Sequence, residues 1–320
     1  MNIDEILKGK KHIGIAGHVN PDGDCIGASL ALYNYIDEKY QDAEVDVYLE
    51  PIPNIFKFLN KADRIKSKIE EKVYEQSTYD LFIAVDCGSI DRLGKFEGLF
   101  STAKETLCID HHVTNNNYAD NVYVVPEASS TCELVFDLIG DADVSKNAAE
   151  CIYTGIIHDT GVFQYKCTSE KTMNIAGKLM KKGINYTKII DDTFYTKTFN
   201  QNKILGKALI DSELHLDGKC VSSIISQVDM KKYNVLPKHL DGIINQLRVT
   251  KDIEVAIFLY EIEEKKYKAS LRSNGLVDVS KIAITFGGGG HVMAAGFSLE
   301  KEPHIIINDI IEEVCKQLQT

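Results

Sequence analysis

No stretch of the 320-residue chain approaches the run of about 20 apolar residues that a bilayer-crossing helix needs, so no membrane span is expected. The first residues, MNIDEILKGKKHIGIAG, place acids ahead of the lysines and carry only a short apolar run, which is wrong for a secretory signal; the expected location is the cytoplasm. CxxC pairs are missing among Cys25, Cys87, Cys108, Cys132, Cys151, Cys167, Cys220 and Cys315, so neither a zinc knuckle nor a disulfide framework is indicated. Several of these cysteines sit in apolar runs and read as reduced core thiols. A basic excess is missing too: 36 Lys and Arg against 47 Asp and Glu leave a net charge of −11. That balance excludes tracking along duplex DNA, where many phosphates must be neutralised, but leaves room for a small phosphorylated ligand held by a few cations. Internal repeats are absent, and the one low-complexity tract is GGGG at 287–290.

What the chain does have is material for packed interiors, with 44% apolar and 26% charged residues, and a length that favours two domains. In the first half, the strand-like runs HIGIAG (12–17), VDVYL (45–49), LFIAVD (81–86), TLCID (106–110) and VYVV (122–125) alternate with segments of helical period. That alternation predicts an α/β domain, a parallel sheet with helices on both faces, over residues 1–190. The polar stretch around DDTFYTKTFNQNK reads as a connector over 191–205, and residues 206–320 as a smaller α+β domain with a mixed sheet.

Ligands of open parallel sheets bind beyond the carboxyl ends of the strands. His18, Asp22 and Asp24, in GHVNPDGDCIG, come after the first strand; Asp86 ends LFIAVD; Asp110, His111 and His112 end TLCID; Asp159 ends the helix CIYTGIIHD. Taken singly, each admits a structural role, since Asp after a strand is often a helix cap, PDG is a common turn and paired histidines are usually satisfied locally. Together they should meet at one rim. Carboxylates gathered there repel unless they are paired or bind metal. Oxygen and imidazole donors without thiolate suit Mn²⁺ or Mg²⁺, with imidazole tilting toward Mn²⁺. Two such ions about 3.5–4 Å apart would activate a water and clamp a phosphoryl group.

HVNPDGD, VD, DHH and HDTG, then SLRSNGLVDVSKIAITFGGGGHVMAAGF, resemble, in order and across nearly the whole chain, the DHH phosphoesterase family with its associated DHHA1 domain. Within that family, the length and the GGGGH ending are most similar to the compact NrnA-type members. The resemblance implies that His18 and Asp22 hold one Mn²⁺, that Asp24, His111 and Asp159 hold the other, and that Asp86 bridges them. It implies that Asp110 orients a ligand imidazole and that His112 faces the phosphate or leaving group. Arg272 and Ser273 of SLRS, the loop Gly287, Gly288, Gly289 and Gly290, and His291 are the implied substrate contacts, with the glycine backbone approaching a phosphate or sugar. After HDTG the chain reads VFQYK, with Gln164 and Lys166 where many relatives carry an arginine.

The expected activity is Mn²⁺-dependent hydrolysis of short oligoribonucleotides (nanoRNA) and of the 3′-phosphate of 3′-phosphoadenosine 5′-phosphate, by a hydroxide activated between two metals. The substrate is expected between the domains. Linear or cyclic dinucleotides such as pApA and cyclic di-AMP are the alternative substrates; pyrophosphate and polyphosphate fit the nucleotide-like SLRS and glycine motifs less well. A nucleotide-binding regulatory protein with an inactive metal centre is the alternative outside enzymes. Family members often dimerise, so a homodimer is among the expected partners, although no segment identifies its interface.

Overall fold

A computed structural model describes residues 1–69 and 79–318. The chain forms two compact units, Met1–Thr196 and Lys197–Thr320. In the first, strands β1 (His12–Ala16), β2 (Glu44–Tyr48), β3 (Ile65–Lys66), β4 (Leu81–Val85), β5 (Thr106–Asp110) and β6 (Asn121–Val124) make one sheet in the order β3-β2-β1-β4-β5-β6. All its pairings are parallel. The strands read as near-continuous apolar runs because both faces are covered. Along β4, Leu81, Ile83 and Val85 join one core with the helices Gly23–Lys39, Thr131–Ile139 and Lys146–Asp159. Phe82 and Ala84 point the other way, into a second core with Leu93, Phe96, Leu99 and Phe100 of the turns and short helix after β4. This is the α/β sheet read from the sequence.

The chain order reverses between β1 and β4, and a sheet of this kind opens its crevice at such a point. After β1 the helix starts at Gly23, four residues ahead of the expected GASLALYNYIDEKY segment, because Asp22 caps it: its carboxylate accepts from the Asp24 and Cys25 N–H groups, both at 3.1 Å. Asp24 therefore sits on the first helical turn rather than on a loop.

The second unit carries β7 (Glu213–His215), β8 (Cys220–Ile225), β9 (Val255–Glu263), β10 (Lys266–Ser273), β11 (Gly289–His291) and β12 (Ala294–Glu300), in the order β11-β12-β10-β9-β8-β7. Only β8 and β9 run parallel, so the sheet is mixed, as expected. Helices Val279–Thr285 and Pro303–Leu318 cover one face, and Phe199–Ile210 and Ile243–Arg248 the other. The polar stretch 191–205 contains a helical turn, Asp191–Tyr195, and the start of the helix Phe199–Ile210, capped by Thr198.

Two expectations change here. The glycine run is not all loop: Gly289 and Gly290 pair with β12 as an edge strand. A Cβ on Gly288 would lie 2.2 Å from the Gly296 carbonyl oxygen, and one on Gly290 would lie 2.5 Å from that of Ala294, so close backbone approach within the sheet already requires glycine at both. Ser273 is buried, and its hydroxyl donates to Glu254 at 2.8 Å. The same Glu254 oxygen accepts the backbone N–H groups of Gly275, Leu276 and Val277 at 2.7–3.1 Å, which shapes the turn after Arg272. Glu254→Ala strands these buried donors and is expected to cost about 3 kcal/mol. The check is the urea midpoint of the second unit's transition, which should fall; an unchanged midpoint contradicts this account.

Candidate metal centre

The strand-end residues converge. Asp86, one residue past β4, takes a left-handed backbone with φ 54°, tolerable for aspartate, while its N–H still bonds to the Ile109 carbonyl at 2.9 Å. That bend turns its carboxylate into the crevice between two imidazoles: Oδ2 lies 3.4 Å from His18 Nε2 and Oδ1 3.6 Å from His111 Nε2. Asp22 Oδ1 lies 3.8 Å from His18 Nε2, and Asp159 Oδ2, from the end of helix Lys146–Asp159, lies 3.2 Å from His111 Nε2. A donor atom of Asp24 lies within 4.8 Å of donors on His111 and Asp159. Both imidazoles turn Nδ1 to a backbone carbonyl, His18 to Val19 at 2.8 Å and His111 to Ala128 at 3.4 Å. A carbonyl can only accept, so Nδ1 carries the hydrogen and Nε2 faces the carboxylates.

The surroundings lock these groups. Asp24 is fully buried, and its two oxygens accept the N–H groups of Thr131 (2.6 Å) and Cys132 (2.9 Å) at the start of helix Thr131–Ile139. Thr131 also donates its hydroxyl to Asp86 at 3.1 Å, so one residue tethers two of the acids. Asp110 holds the imidazole of His112. Its Oδ1 meets His112 Nδ1 at 2.7 Å and its Oδ2 accepts from Asn115 at 2.6 Å, so it orients His112 and not the imidazole that faces Asp86 and Asp159. Both histidines lie past the end of β5 and their rings sit 5.0 Å apart, with His112 Nδ1 also 3.7 Å from Asp86 Oδ1, so Asp110 braces one of two neighbouring imidazoles.

Electrostatics reflect the crowding. Burial opposes charge on His18 and His111, yet the facing carboxylates, Asp22 and Asp86 for the first and chiefly Asp159 and Asp24 for the second, raise each to about 10. Burial and the neighbouring acids push Asp24 well above the usual carboxylate range, and burial lifts Asp159 to about 6. The hydrogen bond that His112 donates to Asp110 raises the pKa of His112. A site that draws protons this strongly to two Nε2 atoms draws divalent cations to the same place, and the donor set of oxygens and imidazole nitrogens suits such ions. The residues therefore fit a metal.

Around the cluster lies a pocket of about 370 Å³, whose wall also includes Ser89, Arg92 and Thr114. Residues 12–156 match the DHH family, N-terminal domain, and residues 218–320 match the DHHA1 domain. The chain is 30% identical over 301 residues, 92% of its length and 87% of the relative's, to the bifunctional oligoribonuclease and PAP phosphatase NrnA of Thermus thermophilus. The chain belongs to the DHH family. A protein of the same name from Bacillus subtilis is 26% identical over 307 residues, covering 94% of this chain and 93% of that one. The crystal structure of an exopolyphosphatase-related protein from Bacteroides fragilis superposes with a TM-score of 0.90 at 27% identity, covering 98% and 94%. This member of the DHH family is a phosphoesterase with the fold its motifs implied.

The remaining candidates lie in the second unit. Arg272 pairs across the sheet with Ala294, and Ala294 with His291, so the three form one row across β10, β12 and β11. Directly opposed residues of antiparallel strands share a face, which puts Arg272 and His291 on the same face with a small residue between them. Arg272 Nη1 also donates to the Leu271 carbonyl at 3.0 Å. Gln164 and Lys166 are exposed and do not line the pocket. Six of the eight cysteines are buried, but Cys167, read as a core thiol, is exposed, its Sγ 3.7 Å from the Asp159 carbonyl oxygen. His158 packs between the rings of Phe56 and Phe194, and a Cβ on Gly23 would strike it at 2.4 Å.

Proposed function

We propose that this chain hydrolyses short oligoribonucleotides and removes the 3′-phosphate of 3′-phosphoadenosine 5′-phosphate, with two Mn²⁺ ions in the strand-end pocket. The single observation that carries the reading is Asp86, whose two oxygens face two different imidazoles and so can serve two ions at once. His18 and Asp22 would hold one ion, and Asp24, His111 and Asp159 the other. When bound, such ions polarise the phosphoryl group and lower the pKa of water. The protein's own part is positional. Asp110 fixes His112 at Nδ1, leaving Nε2 to hold a proton beside the leaving oxygen. The relatives named as oligoribonuclease and PAP phosphatase align with nearly the whole of this chain and over most of their own length, which favours ribonucleotide substrates over pyrophosphate. Free cysteines throughout, with no helix among the described residues long and apolar enough to cross a membrane, support a cytoplasmic location.

On this reading Arg272 and His291, sharing one sheet face, grip the substrate's far phosphate, and a guanidinium suits that role by its bidentate geometry. Arg272→Ala is then expected to raise KM for 5′-phosphorylated dinucleotides about tenfold or more while leaving hydrolysis of bis-p-nitrophenyl phosphate nearly unchanged. Equal losses on both remove the role. The function itself is tested by comparing nanoRNA, 3′-phosphoadenosine 5′-phosphate, pApA and cyclic di-AMP with Mn²⁺ and with Mg²⁺. The first two should give the highest kcat/KM. Dominant turnover of pApA or cyclic di-AMP would replace the substrate assignment, and tight nucleotide binding with no metal-dependent turnover would leave a regulatory protein.

A further inference from the structure

One pocket residue has no part in the ligand set or in the motifs that announced it. Arg92 lies in the turn Ile90–Phe96 after β4, and it is the one lysine or arginine among the described residues lining the pocket. Its surroundings there are Asp22, Asp86 and Asp159 with His18, His111 and His112, yet no carboxylate among the described residues lies within ion-pair distance of its guanidinium. Its guanidinium approaches His18 Nδ1, 3.5 Å from Nη2. That contact does not engage the guanidinium, because Nδ1 already gives its hydrogen to Val19 and two donors then face each other.

The backbone holds the arginine in place. The Arg92 carbonyl accepts the Val19 N–H at 2.8 Å, and its own N–H donates to Ser89 at 3.1 Å. Gly94, at φ 56°, lets the turn close onto the His18 loop: a Cβ there would lie 2.6 Å from Val19 Cγ1. Leu93 and Phe96 anchor the turn in the core. An exposed arginine whose main chain is held at the wall of a carboxylate-rich pocket, with its donors uncommitted to any acid among the described residues, is equipped for an anion that enters from outside.

We propose that Arg92 binds the non-bridging oxygens of the phosphoryl group under attack. This rests on the reading of the pocket as a phosphoester site and adds to it the contact that every substrate must share. Arg92 therefore differs from Arg272, whose proposed partner is a second phosphate that substrates such as bis-p-nitrophenyl phosphate lack.

The test measures binding of inorganic phosphate to the Mn²⁺-loaded full-length protein by calorimetry, beside kcat/KM for 3′-phosphoadenosine 5′-phosphate, a diribonucleotide and bis-p-nitrophenyl phosphate. Arg92→Ala is expected to weaken phosphate binding about 30-fold and to lower all three kcat/KM values by a similar factor, with Arg92→Lys intermediate. Lys95→Ala removes a charge from the same turn without touching the pocket, and should stay within about twofold of the parent. Arg92→Ala binding phosphate like the parent, or losing no more than Lys95→Ala, overturns the contact. A loss confined to one substrate overturns its shared character. If the parent binds phosphate but turns over no ribonucleotide, while Arg92→Ala still loses phosphate affinity, the proposed activity falls and the Arg92 contact stands. A parent that binds no phosphate sinks both.

Discussion

Asp86→Asn should reduce kcat/KM on every substrate by about 10⁴-fold while leaving the fold intact. The side chain keeps its shape, and asparagine, like aspartate, accepts the left-handed backbone seen at φ 54°, so the bend past β4 survives. What disappears is charge. One carboxylate oxygen at 3.4 Å from His18 Nε2 and the other at 3.6 Å from His111 Nε2 become an amide, which can present only one acceptor to two sites. Asp86→Ala would mix this loss with strain of about 1–2 kcal/mol at a positive φ, so asparagine is the cleaner variant. Activity across a Mn²⁺ titration, with circular dichroism and the melting temperature as controls, decides the matter. Residual activity above about a tenth of the parent would mean that Asp86 does not link the two halves of the cluster.

The convergence of His18, Asp22, Asp24, Asp86, His111 and Asp159 was legible in the sequence because the rule behind it is topological. Apolar runs mark parallel strands, and the residues just past each run land on one rim. The partners of those residues were hidden, because they depend on which way a side chain points. Asp110 was expected to orient a ligand imidazole, and only the path of the chain past β5 shows that its hydrogen bond is to His112. Thr131 lies in STCEL, where a cap or a buried helix position is the plain expectation, and only the packing of two helices brings it to Asp24 and Asp86. Arg92 was not among the candidate residues, because its place at the site comes from a backbone bond to Val19 that only the fold creates. In the second unit the motif SLRS joined two residues of opposite fate. Arg272 and Ser273 point to opposite faces, and Ser273 is spent on Glu254 in the interior. The glycine run was misjudged in part for the same reason, since sheet contacts at Gly288 and Gly290 are invisible without the partner strand.

The packing beneath the site supplies the second large effect. Gly155 lies one turn before Asp159 on the same helix, where that helix meets Gly23–Lys39 and Thr131–Ile139. A Cβ on Gly155 would stand 2.2 Å from Cys132 Sγ and 2.7 Å from Asp24 Oδ1. Alanine favours a helix by about 1 kcal/mol over glycine, but overpacking at such distances costs about 3 kcal/mol, so the clash wins. Relief requires a shift of Asp24 or of the helix that carries Asp159. Either way an acid of the cluster moves, and displacement of that order lowers kcat/KM by about 100-fold. Gly155→Ala is therefore expected to lose both activity and about 4–8 °C in melting temperature. Adding Cys132→Ala removes the sulfur at 2.2 Å while leaving Cys132's Cβ position at 2.9 Å and Asp24 where it was. The double variant should thus recover more of the melting temperature than of the activity, because the sulfur strains the fold whereas the Asp24 oxygen carries the chemistry. Parallel recovery of both would show that the sulfur alone transmits the damage. An unperturbed Gly155→Ala would show that the helices can part here without disturbing the cluster, and would remove the link between this crossing and the site.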